Sequence, residues 1–448
     1  MNKDVIMKYK IDFKSYSALM GFSLYCLVAM FGDLIIQVFP EYVRYFLMIV
    51  SLFLMIYACS IEWKIRISNK ILLCLMPWIL FTIGYICIYN RSIFKGSFYT
   101  TIRWLYFFSV IFLISLIDCK IYSKLLKILM FFSLIYVVGV YFFMIFPDKY
   151  SVMYNIWGYW PTGTNNGMSG FHAGFANHYS ENAMYIIPCL FICISKFLTE
   201  YRKKKIIYLF GIIVSGFALI ATAKRAHVLF GAIAFMIAYY FFDRRKKMSR
   251  FFKLLVVIVT VFAILNILSL FVPTINMLFE RFANIGVDQE SNTRFKMWKL
   301  AINNFKKSPL FGIGWFGYKY QYNIMLFDPS RRAERYGYLN SHNVYLQLLC
   351  ETGILGFGLI IWGGINIFKE TFNLLDEEII DGYNIKEILF FSLIMQLFFW
   401  LYSLTGNCLY DTMFSFYTFA SGLMMGCIIS KSKLRRLSYE KDCNINIS

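Results

Sequence analysis

Apolar runs, each about as long as a membrane-spanning helix, follow one another along most of this 448-residue chain. A helix needs about 20 apolar residues to cross a bilayer. Only 16% of the residues are charged, whereas soluble domains average about 25%. The sequence therefore predicts an all-α, polytopic integral membrane protein with about twelve transmembrane helices in a single membrane domain, 1–448. The predicted spans are 16–38, 42–61, 70–89, 98–117, 122–146, 180–198, 205–222, 226–242, 252–272, 343–367, 387–405 and 409–429.

The basic residues predict how these spans are oriented. A net charge of +20 would suit nucleic acid, but lysines and arginines lie in short clusters between the spans, for example at 64–70, 202–205 and 244–247. Such clusters stay on the cytoplasmic side of a membrane. They fall in alternate connections, which predicts cytoplasmic termini, an even number of spans and no nucleic-acid partner.

Two long connections, 147–179 and 273–341, fall on the non-cytoplasmic side in this topology. Long polar loops are usually functional or disordered, and the aromatic content of both favours order, so we expect the chemistry there. The second contains a helical stretch, "NTRFKMWKLAINNFKKSPL", ended by Pro309 and Gly312. Its pattern predicts a surface helix with one apolar side, made of Phe295, Trp298, Ala301 and Ile302.

The segment "NSHNVYLQLLCETGILGFG" at 340–358 returns the second long connection to the membrane. At 100° per residue, a helix would place Leu346, Leu349, Gly353 and Gly356 on the same side as His342. Small residues allow another helix or a thin ligand to approach closely. Spacing alone leaves two alternatives, a catalytic histidine or an interfacial histidine above a helix-packing groove.

This segment resembles a signature of the O-antigen ligase and polymerase superfamily: His, then Asn, Ser or Gln, nine free positions, Gly, two free positions, and Gly, Thr or Tyr. His342, Asn343, Gly353 and Gly356 occupy those places. Two further segments resemble family signatures in the same order. "ATAKRAHVLFG" at 221–231 is similar to the Thr-x-x-Arg turn, and 294–318 to an Arg-x-x-x-Trp stretch followed by Ser-Pro-Leu-x-Gly-x-Gly.

The resemblance implies a GT-C-type membrane glycosyltransferase that uses undecaprenyl-diphosphate-linked oligosaccharides and lies in the bacterial plasma (inner) membrane with an extracytoplasmic active site. Polymerisation of repeat units into O-antigen or capsular polysaccharide is preferred, because such enzymes vary most in sequence. An O-antigen ligase acting on lipid A–core is the alternative within the family. A polysaccharide transporter or flippase is the alternative from another class. A chain-length regulator is an expected partner of the polymerase.

A pyrophosphate-linked donor requires cations that hold phosphate and a group that removes the acceptor proton. Arginine presents a planar fork for phosphate, and the resemblance assigns this task to Arg225 and Arg294. Their alternatives are snorkelling to headgroups and a solvated loop charge. His342 is the predicted general base, because its ordinary pKa lies near neutrality. Neither a metal nor another cofactor is expected.

The remaining candidates surround this predicted centre. Asn177, His178, Trp298 and Asn343 are possible sugar or acceptor residues. His172 and His178 are rival bases or solvated loop residues. The charges inside predicted spans include Asp33, Arg103 and Glu351, and such charges are functional candidates by default. Glu351 lies nine positions after His342, about 180° around a helix, so we expect no direct contact between them. Asp33 and Arg103 could pair with each other.

Overall fold

The structure is a computed structural model, and it describes residues 13–59, 69–89, 95–158, 171–200, 203–242, 247–284, 289–319, 340–377, 379–380 and 382–445. Helix α3 continues into a π-helix, Thr82–Ile88, and the described strands form one short antiparallel pair, Ile379–Ile380 with Tyr383–Asn384. The α-helices are α1 Phe13–Val38, α2 Glu41–Ala58, α3 Asn69–Phe81, α4 Lys95–Leu116, α5 Tyr122–Ile145, α6 Ser151–Trp157, α7 Tyr179–Thr199, α8 Lys203–Ala221, α9 Arg225–Phe241, α10 Lys247–Ser269, α11 Pro273–Ala283, α12 Gln289–Lys307, α13 Val344–Asn373, α14 Lys386–Tyr402 and α15 Met413–Ile445.

Each of the twelve predicted spans coincides with a helix. In the described part of the chain, ten helices are long and apolar enough to cross a membrane. The other two predicted spans correspond to α9 and α14, which are 17 residues each. The prediction of an all-α, multi-pass membrane protein is therefore confirmed.

Burial differs strongly among these helices and shows where the core lies. Helix α15 is the most buried candidate span, and it packs against α4 and α14. Helix α14 also packs against α7 and α9, while α13 packs against α3 and α12. Helix α10 is almost wholly exposed, as expected for a helix whose apolar surface faces lipid. The bundle thus has a core of α4, α7, α14 and α15 with α10 at its edge.

Side-chain contacts distinguish the two ends of the bundle. Three ion pairs lie at one end: Lys196 with Glu387 at 2.7 Å, Lys70 with Glu370 at 3.5 Å, and Lys431 with Glu377. The opposite end carries the α8–α9 turn, the start of α13 and the connection between α14 and α15. We call this the His342 end.

The two long predicted connections contain helices of their own. The first includes α6, and the second includes α11 and α12. The buried face of α12 is formed by Met297, Leu300, Ala301 and Asn304, with Trp298 half-buried. Phe295 and Ile302, predicted to lie on the apolar side, are exposed. Helix α12 packs against α13, and the predicted apolar side shares Ala301 and the half-buried Trp298 with the buried face.

Candidate functional site

Helix α13 is broken at Gly353, whose φ of 62° and ψ of −168° are not helical. A break frees backbone groups that must find partners inside a membrane protein. Here the partners come from the segment after α12. Four backbone hydrogen bonds join the two segments: Ile354 N–H to Pro309 O at 2.8 Å, Leu355 to Leu310 at 3.3 Å, Ile313 to Cys350 at 3.0 Å and Gly314 to Glu351 at 2.9 Å.

Glycines are required on both sides of this junction. A Cβ on Gly353 would lie 2.3 Å from the Leu310 carbonyl oxygen, and a Cβ on Gly312 would lie 2.3 Å from the Glu351 carbonyl carbon. Both residues also have positive φ, which disfavours other residues. The Ser-Pro-Leu-x-Gly-x-Gly segment and the first glycine after His342 therefore form one interlocked structure.

His342 lies outside α13, in a turn with a φ of 55°. Asn343 caps the helix, because its Oδ1 accepts the Leu346 N–H at 3.0 Å. The first helical N–H, that of Val344, donates to the Ser403 carbonyl at 2.9 Å. The predicted stripe continuing from His342 down one helix is therefore wrong, because the helix begins after the histidine and is interrupted at Gly353.

Asn407 holds both the backbone and the ring of His342. Its Oδ1 accepts the His342 N–H at 3.1 Å, and its Nδ2 lies 3.3 Å from the ring Nδ1. An amide nitrogen only donates, so in this arrangement Nδ1 accepts, and the neutral ring carries its hydrogen on Nε2.

Helix α12 contacts the same turn. The Trp298 indole N–H donates to the Ser341 carbonyl at 3.1 Å. Arg294 lies one turn earlier on α12, a separation that puts two side chains on one face of a helix. Its charge acts electrostatically on Tyr402. Arg294 therefore lies on the helix that packs against the His342 turn.

Arg225 begins α9 and is 8% exposed. Its Nη1 donates to the Arg281 carbonyl at 2.5 Å, and Arg281 Nη1 donates in return to the Ala223 carbonyl at 2.9 Å. The Lys224 Nζ lies 5.6 Å from the centre of the Tyr179 ring, and the Arg281 guanidinium lies at the same distance from that ring. Three cations thus cluster around the α8–α9 turn and the start of α7.

The segment before α7 carries Asn177 and His178. His178 caps α7, because its Nδ1 accepts the Ser180 N–H at 2.9 Å. The Asn177 Oδ1 is buried with no hydrogen-bond partner in the structure. Burial lowers the pKa of His172, so desolvation favours its neutral form. The capping bond gives His178 a structural role, and His172 lies against α8 through its backbone N–H, 3.1 Å from the Ala221 carbonyl.

The connection from Tyr402 to Asn407 contacts the turn that carries His342 and the helix that begins with Arg225. Tyr402 packs at a tilt against His227, two residues after Arg225, with ring centres 4.2 Å apart. Asn407 contacts His342. Sequence reasoning missed this connection; its signal was a Gly-Asn pair between two apolar runs.

A cluster of charged residues lies beside this connection, below the His342 turn. Arg103 donates to the Tyr410 carbonyl at 2.8 Å. Burial raises the pKa of Asp411 to about 6 and lowers the pKa of Lys319 to about 8. Asp33 pairs with Arg44 at 3.4 Å, so the ion pair suggested between Asp33 and Arg103 is replaced by a longer-range electrostatic interaction. The cluster places unlike charges together at buried positions.

Glu351 lies inside α13 and is fully buried. The Tyr410 hydroxyl donates to its Oε2 at 2.9 Å, and the Gln347 amide donates to its Oε1 at 3.2 Å. Among the described residues, the side-chain hydrogen-bond partners of Glu351 come from its own helix and from the α14–α15 connection; His342 is not one of them, as expected from the nine-residue spacing. Within the described residues, no three His, Cys, Asp or Glu side chains are grouped as metal ligands.

The fold and this site define a multi-pass helical membrane protein whose three signature segments lie at one end of the bundle. Residues 210–361 match the family model described as O-antigen ligase. This match supports assignment of the chain to the O-antigen ligase and polymerase superfamily. The matched stretch contains Arg225, Arg294 and His342, whereas Tyr402 and Asn407 lie beyond it. No curated protein matches the chain.

Proposed function

We propose that the protein polymerises undecaprenyl-diphosphate-linked oligosaccharide repeat units into O-antigen or capsular polysaccharide. The family match supports a glycosyltransferase-like enzyme of the ligase and polymerase class with a lipid-linked glycan substrate. The observation that carries the proposal is the Tyr402–Asn407 connection, which contacts both His342 and the helix that begins with Arg225.

The proposed reaction is a single displacement at the anomeric carbon of the donor glycan. The acceptor hydroxyl oxygen forms the new bond while the bond from the anomeric carbon to the phosphate oxygen breaks, so the configuration inverts. Undecaprenyl diphosphate leaves with the bonding electrons. Arg225 and Arg294 neutralise the charge that develops on it, and this step requires no metal.

His342 is proposed to receive the proton of the acceptor hydroxyl. Base chemistry at Nε2 needs a hydrogen on Nδ1, whereas the present orientation of Asn407 offers a donor to Nδ1. Turning the Asn407 amide would present Oδ1 to an Nδ1–H instead, at the cost of the bond that Oδ1 now accepts from the His342 backbone N–H. Asn177, His178, Trp298 and Asn343 are proposed to lie near the sugar or the acceptor, on the extracytoplasmic side.

Purified protein in detergent, given a lipid-linked repeat unit with or without lipid A–core, tests the function. A polymerase yields a ladder of glycan lengths without core. A ligase yields one transfer and only with core, and a transporter yields no new glycan in the absence of sealed vesicles. His342→Ala should abolish the ladder at unchanged protein abundance; a normal ladder from this variant would rule out His342 as the base.

A further inference from the structure

A buried chain of hydrogen bonds runs from the interior of α13 to the turn that carries His342. Gln347, only 1% exposed, is its middle member. The Gln347 Oε1 accepts the Ser341 N–H at 2.9 Å, and its Nε2 donates to the Asn340 Oδ1 at 3.1 Å. The same Nε2 donates to the Glu351 Oε1 at 3.2 Å. Gln347 is therefore hydrogen-bonded to the two residues immediately before His342 and connects them to Glu351.

Glu351 is in turn held by segments outside its own helix. The Tyr410 hydroxyl donates to its Oε2, and the Gly314 N–H donates to its backbone carbonyl at 2.9 Å. Tyr410 stacks on Trp315 with ring centres 4.9 Å apart. Glu351 thus joins α13, the segment after α12 and the α14–α15 connection at one point.

We propose that Gln347 and Glu351 are positioning residues for His342, an inference that rests on the proposed function. A non-glycine residue with positive φ persists only where its surroundings hold it, and His342 has a φ of 55°. Buried polar groups are costly unless they are hydrogen-bonded. Among the described residues, the side-chain hydrogen bonds of Gln347 lead to the His342 turn and to Glu351.

The chain offers a matched control for Gln347. Gln396 is equally buried, and its amide bonds the Thr371 hydroxyl at 2.9 Å between α13 and α14, away from the turn. Each glutamine is changed to alanine in the full-length protein. We expect Gln347→Ala to lower kcat by about 100-fold, because a misplaced catalytic group costs about that much, with the donor KM unchanged. Gln396→Ala should keep kcat within about threefold of native, since its partner lies far from the reacting groups.

Glu351 is tested by comparing alanine and glutamine. Glu351→Ala should lower kcat by about as much as Gln347→Ala does. Glu351→Gln keeps groups that can bond both Gln347 and Tyr410, so it should restore kcat to within about tenfold of native. A glutamine variant as inactive as the alanine variant would overturn positioning and point to proton chemistry at Glu351 itself.

Failure of this inference is distinguishable from failure of the proposed function. If His342→Ala is inactive while Gln347→Ala and Glu351→Ala work at the native rate, the positioning role is wrong and the function stands. If Gln396→Ala loses as much kcat as Gln347→Ala, the effect is general destabilisation and the inference is also wrong. If His342→Ala itself retains the native rate, the proposed function fails.

Discussion

At the scale of single residues, Asn407 is the side chain that controls which nitrogen of His342 carries hydrogen. Its Oδ1 is held by the His342 backbone N–H, which leaves Nδ2 facing the ring. A carboxylate at this position would accept both the backbone N–H and an Nδ1–H. It would thereby leave the Nε2 lone pair available to a proton.

This geometry predicts different outcomes for two substitutions of Asn407. Asn407→Asp should retain at least the native kcat, whereas Asn407→Leu should lose about 100-fold, because the ring loses its orientation. Single-turnover glycan transfer at pH 7.5 measures both variants. If the aspartate variant is as slow as the leucine variant, His342 acts as an N–H donor from Nε2, and the base assignment is wrong.

Arg225 offers a second prediction at the residue scale. Its guanidinium donates through Nη1 to the Arg281 carbonyl, and the planar fork of a guanidinium suits bidentate phosphate contact. Lysine has no such fork, so Arg225→Lys should raise the donor KM about tenfold. Arg250→Lys is the matched control, because Arg250 also donates through Nη1 to a carbonyl, that of Tyr239 at 2.9 Å. An equal rise in KM for both variants would contradict phosphate binding by Arg225.

At the scale of elements, the interlock between α13 and the segment after α12 depends on Gly353. Gly353→Ala would place a methyl group against the Leu310 carbonyl and force a left-handed alanine. The positive φ alone should lower the free energy of unfolding by about 1–2 kcal/mol. The clash with the carbonyl should lower it by about 1–3 kcal/mol more. On the same helix, the Cβ added by Gly358→Ala would have no neighbouring atom within 4 Å among the described residues.

Thermal unfolding in detergent compares these two glycines. Gly353→Ala should lower the midpoint by several degrees and reduce activity, since the same junction supports Glu351. Gly358→Ala should be neutral or stabilising by up to about 1 kcal/mol. Similar midpoints for both variants would show that the junction does not hold the helix break.

The elements illustrate what the sequence could and could not reveal. Every predicted span is a helix, because hydrophobic length alone determines where a chain can cross a bilayer. The break at Gly353 could not be predicted from the sequence, since the backbone groups that stabilise it lie about 40 residues earlier in the chain. Asn407 was missed for the same reason, as it lies 65 positions from His342.

At the scale of the whole molecule, the two ends differ in their chemistry. The end opposite His342 has lysines paired with glutamates at the helix termini, as in Lys196 with Glu387. The His342 end carries the cations proposed to bind phosphate and the buried cluster around Arg103 and Asp411. Basic clusters between spans stay in the cytoplasm, so the ion-paired end should be cytoplasmic and the His342 end extracytoplasmic.

Single cysteines at the two ends test this orientation. Ser151 begins α6 in the first long connection, and Asn384 lies in the short strand pair at the opposite end; both are exposed. In a Cys87→Ala background, which removes an exposed native thiol, a membrane-impermeant maleimide is added to spheroplasts. Ser151→Cys should react in intact spheroplasts, whereas Asn384→Cys should react only after lysis. The reverse pattern would put the His342 end in the cytoplasm, and a lipid-linked donor presented on the outer face could not reach it. Because the two positions lie at opposite ends of the bundle, their labelling assigns each end to one side of the membrane.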